Sequence, residues 1–143
     1  MESNAINWSK IVIYSSVLFF AQSAIGFLEG FLSPGANDTT HEEIGLWFAL
    51  SNLITIIVAA SLYAHLAIYQ ASRPLVHASL SLALYGAASL GLFLVLKPLL
   101  GLAPTVLILL NFLVLIPGVL AGLFIGIAIR RMKTYNQKMS RNT

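Results

Sequence analysis

The stretch from Pro104 to Ile129 reads PTVLILLNFLVLIPGVLAGLFIGIAI, carries no charge, and runs straight into Arg130-Arg131-Met132-Lys133. At about 1.5 Å of rise per residue, roughly 20 apolar residues cross the hydrocarbon core of a bilayer. The run therefore predicts a transmembrane helix with a basic flank at its end. Gly118, Gly122 and Gly126 recur every fourth residue and share one side of that helix. With no side chains in the way, another helix can approach closely along the shallow groove they leave. This is a packing signal and carries no chemistry of its own.

The remainder of the chain has the same character. Its 143 residues are 58% hydrophobic and 9% charged, with a mean hydropathy of +0.86. A soluble domain is nearer a quarter charged. The chain belongs among polytopic membrane proteins, and it is too short for a helical bundle plus a separate soluble domain. There is no cysteine, which removes disulfides, thiolate zinc sites, iron–sulfur ligation, covalent haem attachment and any cysteine nucleophile. No cofactor is expected. Five of the eight basic residues fall in the C-terminal tail. Nucleic-acid binding needs a basic folded surface, and none is foreseen.

Three further spans precede the last. Residues 1–10 form a polar arm in which Trp8 and Lys10 suit an interfacial anchor. The first span is expected over about residues 11–32. Its opening resembles a signal peptide, with AQSA as a cleavage region, but the apolar run continues through Phe31 and Leu32, so an uncleaved span is the better reading. The segment SPGANDTTHEE, residues 33–43, reads as an acidic loop, with Thr40 and Glu43 spaced for a capping box. The second span covers about residues 44–70. A tight turn at Ala71-Ser72-Arg73-Pro74 leads into the third, about residues 75–96. Lys97, Pro98, Gly101 and Pro104 mark the break before the last span, about residues 104–129. The tail, residues 130–143, is expected to be polar and mobile, fixing topology and able to meet anionic lipid headgroups at about 1 kcal/mol per basic residue.

Four spans put both termini on one side. That side holds Lys10, Arg73, Arg130, Arg131, Lys133, Lys138 and Arg141, and the other holds Lys97 alone. The bias predicts cytoplasmic termini. The expected fold is all-α: one membrane domain, a bundle of four transmembrane helices. A bacterial inner membrane is the expected location, on compactness alone.

Polar and small residues inside the spans are the candidates for function. At 100° per residue, Ser15, Gln22, Gly26 and Glu29 form one stripe on the first span and should face protein. Glu29 is the only acid within a span. One role for it is a proton- or cation-coupling carboxylate, such as small multidrug transporters carry in the first of their four spans. The simpler role is interfacial, since Glu29 lies only about 6 Å of helix rise from the outer boundary and can reach headgroups or Lys97. On the second span Asn52 shares a face with Gly45, Ala49, Ala59, Tyr63, Ala67 and Gln70. On the third, Ser79, Ala83, Ala87 and Gly91 repeat every four residues, and with the glycines of the last span they predict close packing of spans three and four. Asn111 lies on the glycine side and is the natural partner for Tyr85 or Asn52. Pro117 removes a helical hydrogen bond and allows a kink. His65 and His77 flank the turn between spans two and three. Brought together, they would suit haem or a metal ion, but each more simply bonds a carbonyl or interfacial water.

No Ser–His–Asp order, HExxH or glycine-rich phosphate loop occurs, so an enzyme is not expected. Two classes of function stand. The first is a non-enzymatic accessory or assembly subunit that packs against the helices of a partner protein, supported by the small-residue faces. The alternative is a small, oligomeric transporter or permeation protein using Gln22, Glu29, Asn52 and Asn111. They differ in where those four residues point: into one wet cavity for the transporter, or into pairs in a dry bundle for the subunit.

Overall fold

The computed structural model describes residues 6–32, 41–70, 72–100 and 105–141, all helical apart from short connections. Four helices follow in order: α1 (Trp8–Leu32), α2 (His41–Tyr69), α3 (Pro74–Leu100) and α4 (Thr105–Arg141). Each is long and apolar enough to cross a membrane, and the most apolar 18-residue stretch lies in α4, with a mean hydropathy of 2.7. The chain is an all-α integral membrane protein.

The helix ends differ from the expected spans for local reasons. Asn7 caps α1 by accepting the Lys10 N–H at 3.2 Å, which starts the helix at Trp8. The helix α2 already includes His41 to Glu43, expected in the acidic loop; Thr40, its expected cap, lies outside the described residues. Pro98 does not end α3, which runs on to Leu100. The tail is likewise helical, as α4 continues unbroken to Arg141. Polarity ends a membrane span, but ending a helix takes a breaker, and none follows Gly126 before Arg141.

The bundle has two unlike ends. At one end lie the start of α1, the turn between α2 and α3, and the exit of α4. Lys10 Nζ donates to the Tyr69 carbonyl at 3.2 Å and to Gln70 Oε1 at 2.9 Å. Arg130 donates to the carbonyls of Ala67 at 3.4 Å and Gln70 at 2.9 Å. Both cations thus sit on the C-terminal carbonyls of α2, where the helix dipole favours positive charge. Read in the sequence only as topology markers, they close this end. Arg73 turns the chain with φ 48, and Pro74 starts α3 in the first-turn position where its missing N–H costs nothing.

The core lies toward this closed end. Leu18, Ala59, Tyr63, Leu66, Leu115, Val119 and Leu123 are buried together, and the Tyr63 hydroxyl meets Ser81 Oγ at 2.9 Å. The most extensive contact joins α2 and α4. These run parallel, since Gly118, Gly122 and Gly126 approach the backbone oxygens of Ile56, Ala60 and Ala64 in the same order. A Cβ on Gly118 would fall 2.8 Å from the Ile56 oxygen. The glycine face is therefore taken up by α2. That corrects the expectation that it packs against span three: Ser79, Ala83, Ala87 and Gly91 are exposed on α3, and nothing lies within 4 Å of a Cβ built on Gly91. The helices α3 and α4 meet instead where Phe112 lies over Gly86 and tilts against Tyr85, ring centroids 5.6 Å apart.

Candidate functional site

Toward the opposite end the helices part around polar side chains. The α1 stripe turns Gln22, Gly26 and Glu29 inward because the other residues at that depth, such as Phe27 and Leu28, are apolar and exposed. Opposite them, α2 carries Ser51, Asn52 and Thr55 within little more than one turn. Asn111 of α4 completes the wall. All four polar residues singled out in the sequence, Gln22, Glu29, Asn52 and Asn111, line one cavity of about 300 Å³ between α1, α2 and α4. That is room for roughly ten waters or a small polar molecule.

Two hydrogen bonds tie α1 to α2 across it. Ser51 Oγ donates to Glu29 Oε2 at 3.0 Å, and Thr55 Oγ1 donates to Gln22 Oε1 at 3.2 Å. Glu29 is half-buried, and Ser51 has taken the place foreseen for headgroups or Lys97. Lys97 is exposed, 5.8 Å from the centre of the Phe93 ring. Gln22 is 8% exposed, and its Nε2 is buried with no hydrogen-bond partner among the described residues. An unmet buried donor costs about 1–3 kcal/mol, so this atom is a place for an acceptor.

Gln22 and Asn111 also line a second cavity of about 250 Å³, between α1, α3 and α4, together with Tyr85 and Ser89. A third, of about 200 Å³, opens between α1 and α2 and shares Ile25, Glu29 and Ser51 with the first; the rest of its wall is Leu28, Trp47, Leu50 and Ile54. Glu29 thus stands between a polar chamber and an apolar groove.

Other predicted positions lie elsewhere. Ser15 is buried toward the closed end. Asn111 shares the cavity with Asn52, while Tyr85 lies beside Ser89 in the lining of the second cavity. The two histidines have separate duties. His77 is buried at the turn, where Asn7 N–H donates to its Nε2 at 3.0 Å and its Nδ1 bonds the Arg73 carbonyl at 3.1 Å. His65 is exposed; its Nδ1 is 2.6 Å from the Tyr14 hydroxyl and its ring centroid 4.5 Å from that of Tyr69. Among the described residues, no group of three His, Asp or Glu is placed to hold a metal ion. The sequence reading missed Ser51 and Thr55. Their signal was present, as hydroxyls one turn apart beside Asn52 in an otherwise apolar span.

The arrangement can bind through hydrogen bonds and one carboxylate. Comparison with protein-family models, curated proteins and solved structures finds no match to this chain.

Proposed function

We propose that this is a small, non-enzymatic transport or permeation protein, with the polar cavity as its binding chamber and Glu29 as the carboxylate that holds or couples a cation. The observation that carries this reading is the convergence of Gln22, Glu29, Asn52 and Asn111 on one cavity of about 300 Å³. Polar groups inside a membrane are costly, and grouping them around a cavity lets water or a solute satisfy them. The packed core at the other end makes the chamber one-sided, so passage requires a change of packing. Pro117, lying between the cavity residue Asn111 and the glycines that lock α4 to α2, leaves the Leu113 carbonyl without its helical partner and is the natural hinge.

The test is flux into proteoliposomes holding a pH-sensitive dye, with an imposed proton gradient and small primary amines outside. Glu29→Gln is expected to cut protein-dependent flux at least tenfold, and Asn111→Ala by less. Equal flux in wild type, Glu29→Gln and protein-free vesicles would sink the reading.

A second reading, an accessory or assembly subunit, is favoured by the exposed small-residue face of α3 at Ser79, Ala83, Ala87 and Gly91, along which a helix of a partner or a second copy can pack. Native mass spectrometry after gentle extraction separates the two. A stoichiometric foreign subunit supports the accessory role, and a homo-oligomer alone supports transport.

A further inference from the structure

The polar chamber and the apolar groove share Ile25, Glu29 and Ser51, so both border Glu29. Among the described residues, that carboxylate accepts a hydrogen bond from Ser51 through Oε2 alone. Leu28, Leu50 and Ile54, in the groove wall, are about half exposed on the outer surface of the bundle, where a membrane protein meets lipid chains. The groove therefore faces the bilayer sideways, and Glu29 is part of the wall it shares with the chamber. Deeper in the chamber, two helical turns along α1, the Gln22 Nε2 donor is buried without an acceptor.

Deepening the transport reading, on which this rests, we infer that the site takes an amphiphilic amine from the bilayer. The ammonium head pairs with Glu29 at the mouth of the chamber, and the apolar chain lies between Leu28, Trp47 and Ile54. A carboxylate beside an apolar wall selects positive charge, since a neutral or anionic head would leave Glu29 half-buried without a counter-charge. A polar acceptor on the head, or the water it carries, satisfies Gln22. A purely hydrophilic solute would use the chamber and gain nothing from the groove, and a neutral apolar molecule would use the groove and gain nothing from Glu29. The combination specifies a molecule with both parts.

Trp47 reports on the groove directly. The chain has two tryptophans, Trp8 and Trp47, and Trp8 is exposed at the other end of the bundle, so Trp8→Phe leaves a single emitter. This variant, in phosphatidylcholine nanodiscs, is titrated with dodecylamine brominated on its chain, and with dodecanol brominated in the same way. The expected result is saturable quenching by the amine, with half-saturation at least tenfold below that of the alcohol. Added Glu29→Gln should abolish the difference. Unbrominated dodecylamine should reverse the quenching, whereas propylamine and dodecanol at the same concentration should not; these displacement arms need no change at Glu29. Reversal by propylamine as effective as by dodecylamine would overturn the amphiphile and leave the polar-chamber reading standing. Quenching that never saturates, or is the same for amine and alcohol, would overturn the inference as well. The transport reading fails separately, on flux that is equal in wild type, Glu29→Gln and protein-free vesicles.

Discussion

At the scale of single residues, the least replaceable polar side chain is at the closed end, outside the cavity. His77 is 1% exposed, and both ring nitrogens are engaged. Because a backbone N–H, that of Asn7, points at Nε2, that nitrogen accepts, and the ring proton lies on Nδ1, facing the Arg73 carbonyl. The Gln70 side-chain amide also reaches Nε2, at 3.3 Å, while its carbonyl oxygen holds Lys10. One imidazole thereby joins the start of α1, the end of α2 and the start of α3. His77→Ala is expected to destabilise the fold by about 1–3 kcal/mol, because donors are left buried and unmet. His65→Ala, at an exposed ring, should cost about 0.5 kcal/mol, as surface changes do. The two are compared by the sodium dodecyl sulfate midpoint of unfolding in mixed micelles, followed by circular dichroism. Equal midpoints would remove His77 from this role. None of this was legible in the sequence, where His77 could only be placed one turn inside a span; the partners come from three separate segments.

At the scale of helices, regular spacing identified faces and left their partners open. Gly118, Gly122 and Gly126 were readable as one close-packing side, and Ser79, Ala83, Ala87 and Gly91 as another. The inference that these two meet failed because period four is the same on every helix. What decides is the depth match with a second small stripe: Ala60, Ala64 and Ala67 of α2 lie level with the glycines. Backbone oxygens of α2 then approach α4 closely enough for weak Cα–H···O contacts. Gly122→Ala would push a methyl group into the Ala60 backbone, where nothing flexible can yield. A loss of about 1–3 kcal/mol is expected. Gly91→Ala meets open space and should change stability by no more than about 0.5 kcal/mol, or raise it through helix propensity. The same detergent titration reads both, and a Gly91→Ala loss as large as that of Gly122→Ala would show that the α3 stripe is in use. Helix number and type were legible because long apolar runs admit few structures in a membrane. The helix ends were less so, since the α4 extension past Arg130 depends on the absence of a breaker and not on hydropathy.

At the scale of the whole molecule, the bundle is a plug at one end and a chamber at the other. The plug follows from small residues on α2 and α4 that let the helices close up around Leu115, Val119 and Leu123. The chamber follows from the polar stripe of α1 facing Ser51, Asn52 and Thr55, side chains that hold helices together by hydrogen bonds without filling the space between them. The sequence carried Gln22, Glu29, Asn52 and Asn111 as separate polar positions on three spans; only their common depth and facing directions make them one wall, and those are tertiary facts. The asymmetry predicts access from a single side. With no native cysteine, single-cysteine variants report it cleanly. Asn52→Cys and Asn111→Cys should react with a small, charged thiol reagent added on the side of the α1–α2 connection, at least tenfold faster than Ser81→Cys, which is buried in the plug. Ser140→Cys, on the helical extension, should react only from the opposite side, which the basic bias of that end predicts to be the cytoplasmic one. If Ser81→Cys reacted as fast as Asn111→Cys, or either reacted equally from both faces, the bundle would be an open pore, and Pro117 would have no gate to move.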